Sequence, residues 1–293
     1  MGALALTLVI LGAEVAGGLW SRSLALLSDA GHMLSDAAAQ ALSLVALAIA
    51  SRPASARRTW GWYRLEILAA LANGVALLVL AAWIIWTGIA RLRAGAPPID
   101  LRVMMLIAFI GLLANLGGAW LLHNAQSLNA RSAYLHLLTD TLSSVSVLFG
   151  GIVMYFARGL YTLDPILSMA IGVFITWSAW RLVRETVDIL LEAVPVDVDL
   201  HGVRDALAAI AGVHEVHDLH IWTITSGVRA LSAHLVVDSA ELGATDRMLS
   251  AAKERLAHDF HITHSTLQIE SRAFEAEQLT GCAGCPSPAT GAR

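Results

Sequence analysis

The sequence predicts an α-helical polytopic membrane domain of six transmembrane helices followed by a small α+β domain. Three observations carry this prediction. The composition is 57% hydrophobic and 14% charged, with a mean hydropathy of +0.65, a balance too apolar for a water-soluble chain whose surface must be largely polar. Apolar stretches long enough to cross a bilayer fill roughly the first two thirds of the 293 residues. After Pro195 the pattern changes, and Asp, Glu, His and Arg are interspersed as in an ordinary soluble domain.

A spanning helix needs ~20 mostly apolar residues. Six stretches qualify: 3–20, 24–50, 64–90, 101–123, 132–156 and 165–190. They are separated by Arg52-Pro53 with Arg57 and Arg58, by Ala96-Pro97-Pro98, by the polar run from His123 to Arg131, and by Arg158 to Pro165. Proline and charge clusters of this kind end helices. An even number of helices puts both ends of this domain on one side. Seven basic residues flank the helices on that side and five on the other, which favours cytosolic termini. The first helix lacks a basic leader and runs straight into a polar second helix, so it is expected to be retained rather than cleaved.

Beyond Asp197, residues Val198 to Ala211 have helical spacing, and Val213 to Thr225 and Val228 to Asp238 alternate as strands around a Ser226-Gly227 turn. A helix from Ala244 to His258 and a strand from Ile262 to Glu270 complete an α-β-β-α-β order, a split, ferredoxin-like α+β arrangement. The expected organisation is a transmembrane domain over 1–195, a cytosolic domain over 196–272, and a tail over 273–293 holding Cys282 and Cys285. A net charge of −4, with basic residues scattered at helix ends, gives no nucleic-acid footprint.

The chemistry lies in two repeated tetrads. Helix two reads Ser28-Asp29-Ala30-Gly31-His32-Met33-Leu34-Ser35-Asp36, and helix five reads Tyr134-Leu135-His136-Leu137-Leu138-Thr139-Asp140. Residues i and i+4 share a helical face, so His32 with Asp36 and His136 with Asp140 can converge as two imidazoles and two carboxylates. Nitrogen and oxygen donors at ~2.0–2.2 Å in a set of four suit tetrahedral zinc, and the lack of sulfur in the set disfavours Cu(I). Ionisable groups at membrane depth cost at least ~2.5 kcal/mol each on insertion scales, and a bound dication compensates them. Hydrogen-bonded polar pairs that glue helices together are the competing reading. Two identically spaced pairs favour the metal. Asp29 falls on the same face, three residues before His32, as an outer-shell or entry-path carboxylate or a helix cap. Glu14 in helix one and Asn115 in helix four are further polar interruptions, which a hydrogen bond between helices would also explain.

A metallohydrolase is disfavoured, because no His-Glu-x-x-His pair stands beside the ligands. A membrane-bound sensor with structural zinc satisfies the same residues and is separated from a transporter by flux alone. Because metal binds deprotonated ligands, protons and metal compete for the same side chains. Imidazole, which titrates near pH ~6.5 when unperturbed against ~3.9 for the Asp carboxyl, is the better proton carrier.

The run Ser23-Leu24-Ala25-Leu26-Leu27-Ser28-Asp29-Ala30-Gly31-His32-Met33-Leu34-Ser35-Asp36 resembles the helix-two signature of the cation diffusion facilitators. Trp60-Gly61-Trp62-Tyr63-Arg64-Leu65-Glu66 resembles the start of their third helix, and His217-Asp218-Leu219-His220-Ile221-Trp222 resembles their soluble domain. The resemblance covers residues 1 to about 285. It implies a homodimeric zinc/proton antiporter in the lipid bilayer of the cell inner membrane, with a metallochaperone-like cytosolic domain. It also implies His32, Asp36, His136 and Asp140 as the ligands of the transported ion. Cadmium, cobalt, nickel and iron are the alternative cargoes. The chain departs from some relatives at Tyr63, where they place a His, and between helices four and five, where it offers only His123.

In the soluble domain a two-residue turn at Ser226-Gly227 would set His217 and His234 as diagonal neighbours on one face, with His220 on the other unless a bulge intervenes. His264, Gln268 and Glu270 share one side of the last strand and are expected as a peripheral metal site in the assembled dimer. The resemblance raises His217, His220, His234 and Glu270 as peripheral metal ligands, with His264 nearby. Cys282 and Cys285 form a single Cys-x-x-Cys, half of a tetrahedral site, whose spacing alone leaves metal and redox readings open; the resemblance implies metal binding in preference to redox activity. Zinc is thus expected both as substrate and as a regulatory ligand.

Overall fold

The computed structural model describes residues 2–50, 54–123, 128–157, 160–238 and 245–272. Along parts of α1, α2 and α5, Asp36 and His136 included, it describes backbone and not side chains. The chain divides into two compact units, Met1–Thr186 and Val187–Arg293.

The first unit is built from helices α1 (Gly2–Ser21), α2 (Leu24–Ala50), α3 (Arg64–Ala94), α4 (Leu101–Leu122) and α5 (Leu128–Phe156), and from most of α6 (Leu163–Leu190). Among the described residues, three helices are long and apolar enough to cross a membrane: Arg64–Ala94, Leu101–Leu121 and Leu163–Leu190. Their outer faces carry exposed Trp83, Trp86, Phe109, Trp120, Trp177 and Trp180. Such a surface suits lipid and its interface rather than water.

Three packing groups, two of them sharing α2, organise the unit. Ala25 and Leu26 of α2, Met104 and Ala108 of α4, and Val147 and Met154 of α5 form one buried cluster, and Ile10, Leu11, Ala30 and Met33 join α1 to α2. Leu77, Ala81 and Ile84 of α3 pack on Ile175 and Ala179 of α6 in a third. Small residues let these helices approach closely, as Gly172 does against Ile84 and Ile85.

One buried carboxylate fastens the start of α2. Asp164, fully buried at the start of α6, accepts hydrogen bonds from the Ser23 hydroxyl at 2.6 Å and from the Leu24 and Ala25 amides at 2.8 and 3.1 Å. These amides have no partner within their own helix, and a carboxylate there also answers the positive end of the helix dipole. Arg91 of α3 lies 3.5 Å from Asp164 and donates to the Arg22 carbonyl at 2.8 Å. The α1–α2 turn, with Arg22 at φ 61°, is thereby tied to α3 and α6, which fixes the rotation of the helix that carries His32.

The second unit holds α7 (Leu200–Ala208), β1 (Val213–Thr225), β2 (Val228–Val237), α8 (Thr245–Phe260) and β3 (His264–Ser271). The sheet order is β1-β2-β3, antiparallel between β1 and β2 and parallel between β2 and β3. Val203 and Leu207 of α7 and Met248, Ala252 and Leu256 of α8 cover one sheet face, on which Val216, Ile221, Leu231, Ala233 and Leu235 form the core.

The two-residue turn at Ser226-Gly227 stands, with Thr225 opposite Val228 and Gly227 at φ 76°. The register expected beyond it does not. Irregularities between Thr223 and Thr225 and between His217 and His220 slide β1, so that His217 faces His234 directly. The second of these is a bulge at Asp218, whose φ of 48° is left-handed. Without an inserted residue, Val216 and Ile221 would point to opposite faces. The bulge lets both enter the core, a geometric gain that offsets the strained backbone.

Candidate metal centres

In the first unit, α2 and α5 bring their motifs together. His32 Nε2 and Asp140 Oδ1 lie 3.8 Å apart, with Asp140 only 6% exposed. Ligand atoms of a tetrahedral ion at ~2.0–2.2 Å stand roughly 3.3–3.6 Å from one another, so this pair is within a few tenths of an ångström of a coordination edge. The Phe174 ring of α6 meets the His32 ring edge-on at 6.4 Å, which walls one side. Asp36 and His136 stand at i+4 and i−4 on the same two helices, with their side chains outside the described residues. Asp29, 2% exposed, accepts from the Ser143 hydroxyl of α5 at 2.5 Å, so it faces the same α2–α5 seam. It does not cap α2, whose first amides are taken by Asp164.

The second unit gathers another group. His217, His234 and Glu270 each present a ligand atom, all within 4.8 Å of one another. They come from three adjacent strands on the face away from the helices: His217 pairs with His234, and Glu270 is two residues beyond Gln268, which pairs with His234. His217 Nε2 is 3.3 Å from Glu270 Oε2, yet neither atom has a hydrogen-bond partner among the described residues. Two buried polar atoms at a tetrahedral-edge distance, with no proton-sharing geometry between them, are suited to a shared cation. Glu270 is 2% exposed, and its Oε1 meets His234 Nδ1 at 2.9 Å and accepts from Gln268 Nε2 at 2.6 Å. Asp218 Oδ2, on the bulge, is 3.6 Å from His234 Nε2 and is a fourth donor in reach. Sequence reading passed over Asp218, because its reach depends on a bulge that no local pattern marks.

Other sequence candidates stand apart from this trio. His220 shares its sheet face, paired with Ser232, but its ring is engaged by Asp218 at 2.9 Å and its side chain is 65% exposed. His264 is exposed at the far end of β3, about 20 Å from Glu270 at ~3.3 Å per residue. Cys282 and Cys285 lie outside the described residues.

A profile of the cation efflux transmembrane domain matches residues 2–191, and one of the cation efflux protein cytoplasmic domain matches residues 195–272. The chain belongs to the cation diffusion facilitators. Cation diffusion facilitators similar to it include the metal cation efflux system protein CzcD of Cupriavidus metallidurans, 43% identical over 92% of this chain and 84% of the relative. A cadmium, cobalt and zinc/H(+)-K(+) antiporter of Bacillus subtilis is 36% identical over 92% and 87%. The zinc transporter ZitB of Escherichia coli is 38% identical over 88% and 82%. The chain is thus a multi-pass membrane protein of the cation efflux class, with a helical transmembrane domain and a cytoplasmic α+β domain.

Proposed function

We propose that this facilitator exports a divalent metal cation, zinc foremost, from the cytosol in exchange for protons, through a four-ligand site made by His32, Asp36, His136 and Asp140. The observation that carries the reading is the approach of His32 Nε2 to Asp140 Oδ1 across α2 and α5 at 3.8 Å. Each belongs to a His-x-x-x-Asp pair whose other member lies one turn away on the same helix.

The chemistry follows from the donor set. Two neutral imidazoles and two carboxylates balance a dication without leaving net charge in the bilayer. When the imidazoles are protonated the same charge balance is met without metal, so each state excludes the other. Reorientation of the helices between the two loadings gives antiport, and a proton gradient directed into the cytosol drives metal outward. The names of the relatives support both cargo and coupling: two carry zinc, and one an exchange with protons.

In this reading the protein is a homodimer in the cell inner membrane with both termini cytosolic. His217, His234, Glu270 and Asp218 bind zinc as a regulatory ligand, and Cys282 and Cys285 bind metal in the tail. His220 stands at the margin of that cytosolic site, and His264, at the far end of β3, lies outside it. The test is flux of Zn2+ into proteoliposomes under an imposed pH gradient. Uptake that follows the gradient in sign supports the reading. Zinc binding without flux would instead make the chain a sensor.

A further inference from the structure

We infer a second cation site in the membrane unit, made of oxygen donors alone and centred on Glu14 of α1, which takes a divalent metal beside the His32–Asp140 pair. Glu14 is fully buried, and neither carboxylate oxygen has a hydrogen-bond partner among the described residues. Its Oε1 lies against α4, 2.9 Å from where a Cβ on Gly111 would stand, and the Ser144 hydroxyl of α5 lies 3.7 Å from the same point. Glu14 is within electrostatic reach of Asp29 and Asp140. Asp29 and the Ser144 hydroxyl lie within hydrogen-bonding reach of each other, and Asn115 Nδ2, one turn beyond Gly111 on α4, is buried without a described partner.

The physical argument is one of compensation. A buried carboxylate that serves only as glue between helices finds a donor, because an unsatisfied charge in a low-dielectric interior is expensive. Glu14 instead faces more acid, with Asp29 and Asp140 in electrostatic reach and the Ser144 hydroxyl beside the same point at Gly111. A cation is what such an arrangement accommodates. Glycine at position 111 leaves room for the Glu14 carboxylate in this position, since any larger residue there would push on it. The donors are carboxylate and hydroxyl oxygens, with the Asn115 amide oxygen available once that side chain turns. This is a hard set with neither imidazole nor thiolate, which suits oxygen-preferring divalent ions over soft ones. Asp29 sits three residues before His32 on α2, so an ion here is about one helical turn from the four-ligand site, as a stop on the way to or from it.

The purpose given to this site rests on the transport reading, but its existence is tested by binding without flux. The full chain carrying H217A, H234A, C282S and C285S, which silence the cytosolic sites, is titrated in detergent micelles with Mn2+ alone. Bound ion is counted by electron paramagnetic resonance and sorted by nitrogen modulation of the spin echo. Two classes are expected, one coupled to nitrogen and one not. Glu14→Gln removes the uncoupled class and leaves the coupled one, whereas His32→Ala does the reverse. Gly111→Ala keeps every donor and weakens the uncoupled class by about tenfold, the size usual for misorienting a ligand. An uncoupled class that survives Glu14→Gln and Gly111→Ala, or that is missing from the parent, overturns the site. Loss of the coupled class alone would count against the four-ligand site and leave this one standing.

Discussion

His32 on α2 and Asp140 on α5 hold an imidazole nitrogen and a carboxylate oxygen 3.8 Å apart inside the helical bundle. That separation joins two motifs 104 residues apart in sequence into one place, and each motif repeats the same residue types at the same spacing. Asp140→Asn, which keeps shape and removes charge, is expected to lower zinc flux to the empty-liposome background while circular dichroism and elution volume stay unchanged. Flux retained in Asp140→Asn and His32→Ala alike would remove both residues from the transport site.

Asp164 tests how the site is held rather than how it binds. Replacing it by alanine removes two amide caps and the Ser23 contact, and leaves Arg91 without its carboxylate. Removing one member of a buried ion pair typically costs roughly 3–5 kcal/mol. Thermal unfolding in detergent should show a clearly lower midpoint for Asp164→Ala, and a smaller loss for Arg91→Lys. An unchanged midpoint in Asp164→Ala contradicts the role given to this carboxylate.

How much of this was legible in the sequence differs from one element to the next. The six helices and the α-β-β-α-β order follow from apolar length and local periodicity, which are properties of neighbouring residues, and their bounds fall within a few residues of the structure. Asp164 was invisible as a cap because its partners, Ser23 to Ala25, are about 140 residues away. The strand register failed at Asp218 for a different reason. A bulge is chosen by which residues the core accepts, here Val216 and Ile221 together, and not by the bulged residue itself. The alternation of β3 placed Glu270 and Gln268 on one side correctly, because a regular parallel strand preserves its period.

At the cytosolic trio, metal requires neutral imidazoles and an ionised carboxylate. Zinc affinity should therefore fall as pH is lowered, with proton release on binding at the acidic end. Isothermal titration in two buffers of different ionisation enthalpy measures that release. Glu270→Gln should weaken zinc there by at least tenfold without unfolding the domain, since a neutral amide fits the same space. Affinity equal to the parent would separate Glu270 from the site.

His258, in the last turn of α8, supplies a pH prediction remote from any metal. Its hydrogen bond to the Asp259 carboxylate at 2.7 Å, aided by that charge and by Glu254, raises its pKa above the ordinary imidazole value. A raised folded-state pKa favours the folded state at pH below the unfolded value, and this contribution is lost as pH rises through the folded one. Proton NMR titration should find the His258 transition displaced upward, and Asp259→Asn should return it toward that of a free imidazole. A transition that Asp259→Asn does not move contradicts the contact.

Proton-driven metal exchange through one shared ligand set is the centre of the account. It is tested most directly by Zn2+ uptake into proteoliposomes holding the intact chain, with the pH gradient imposed in either direction and then collapsed. Uptake should accelerate when the lumen is acidic relative to the bath, slow when the gradient is reversed, and be accompanied by alkalinisation of the lumen. Zinc flux of equal rate under all three conditions, with no luminal pH change, would contradict it.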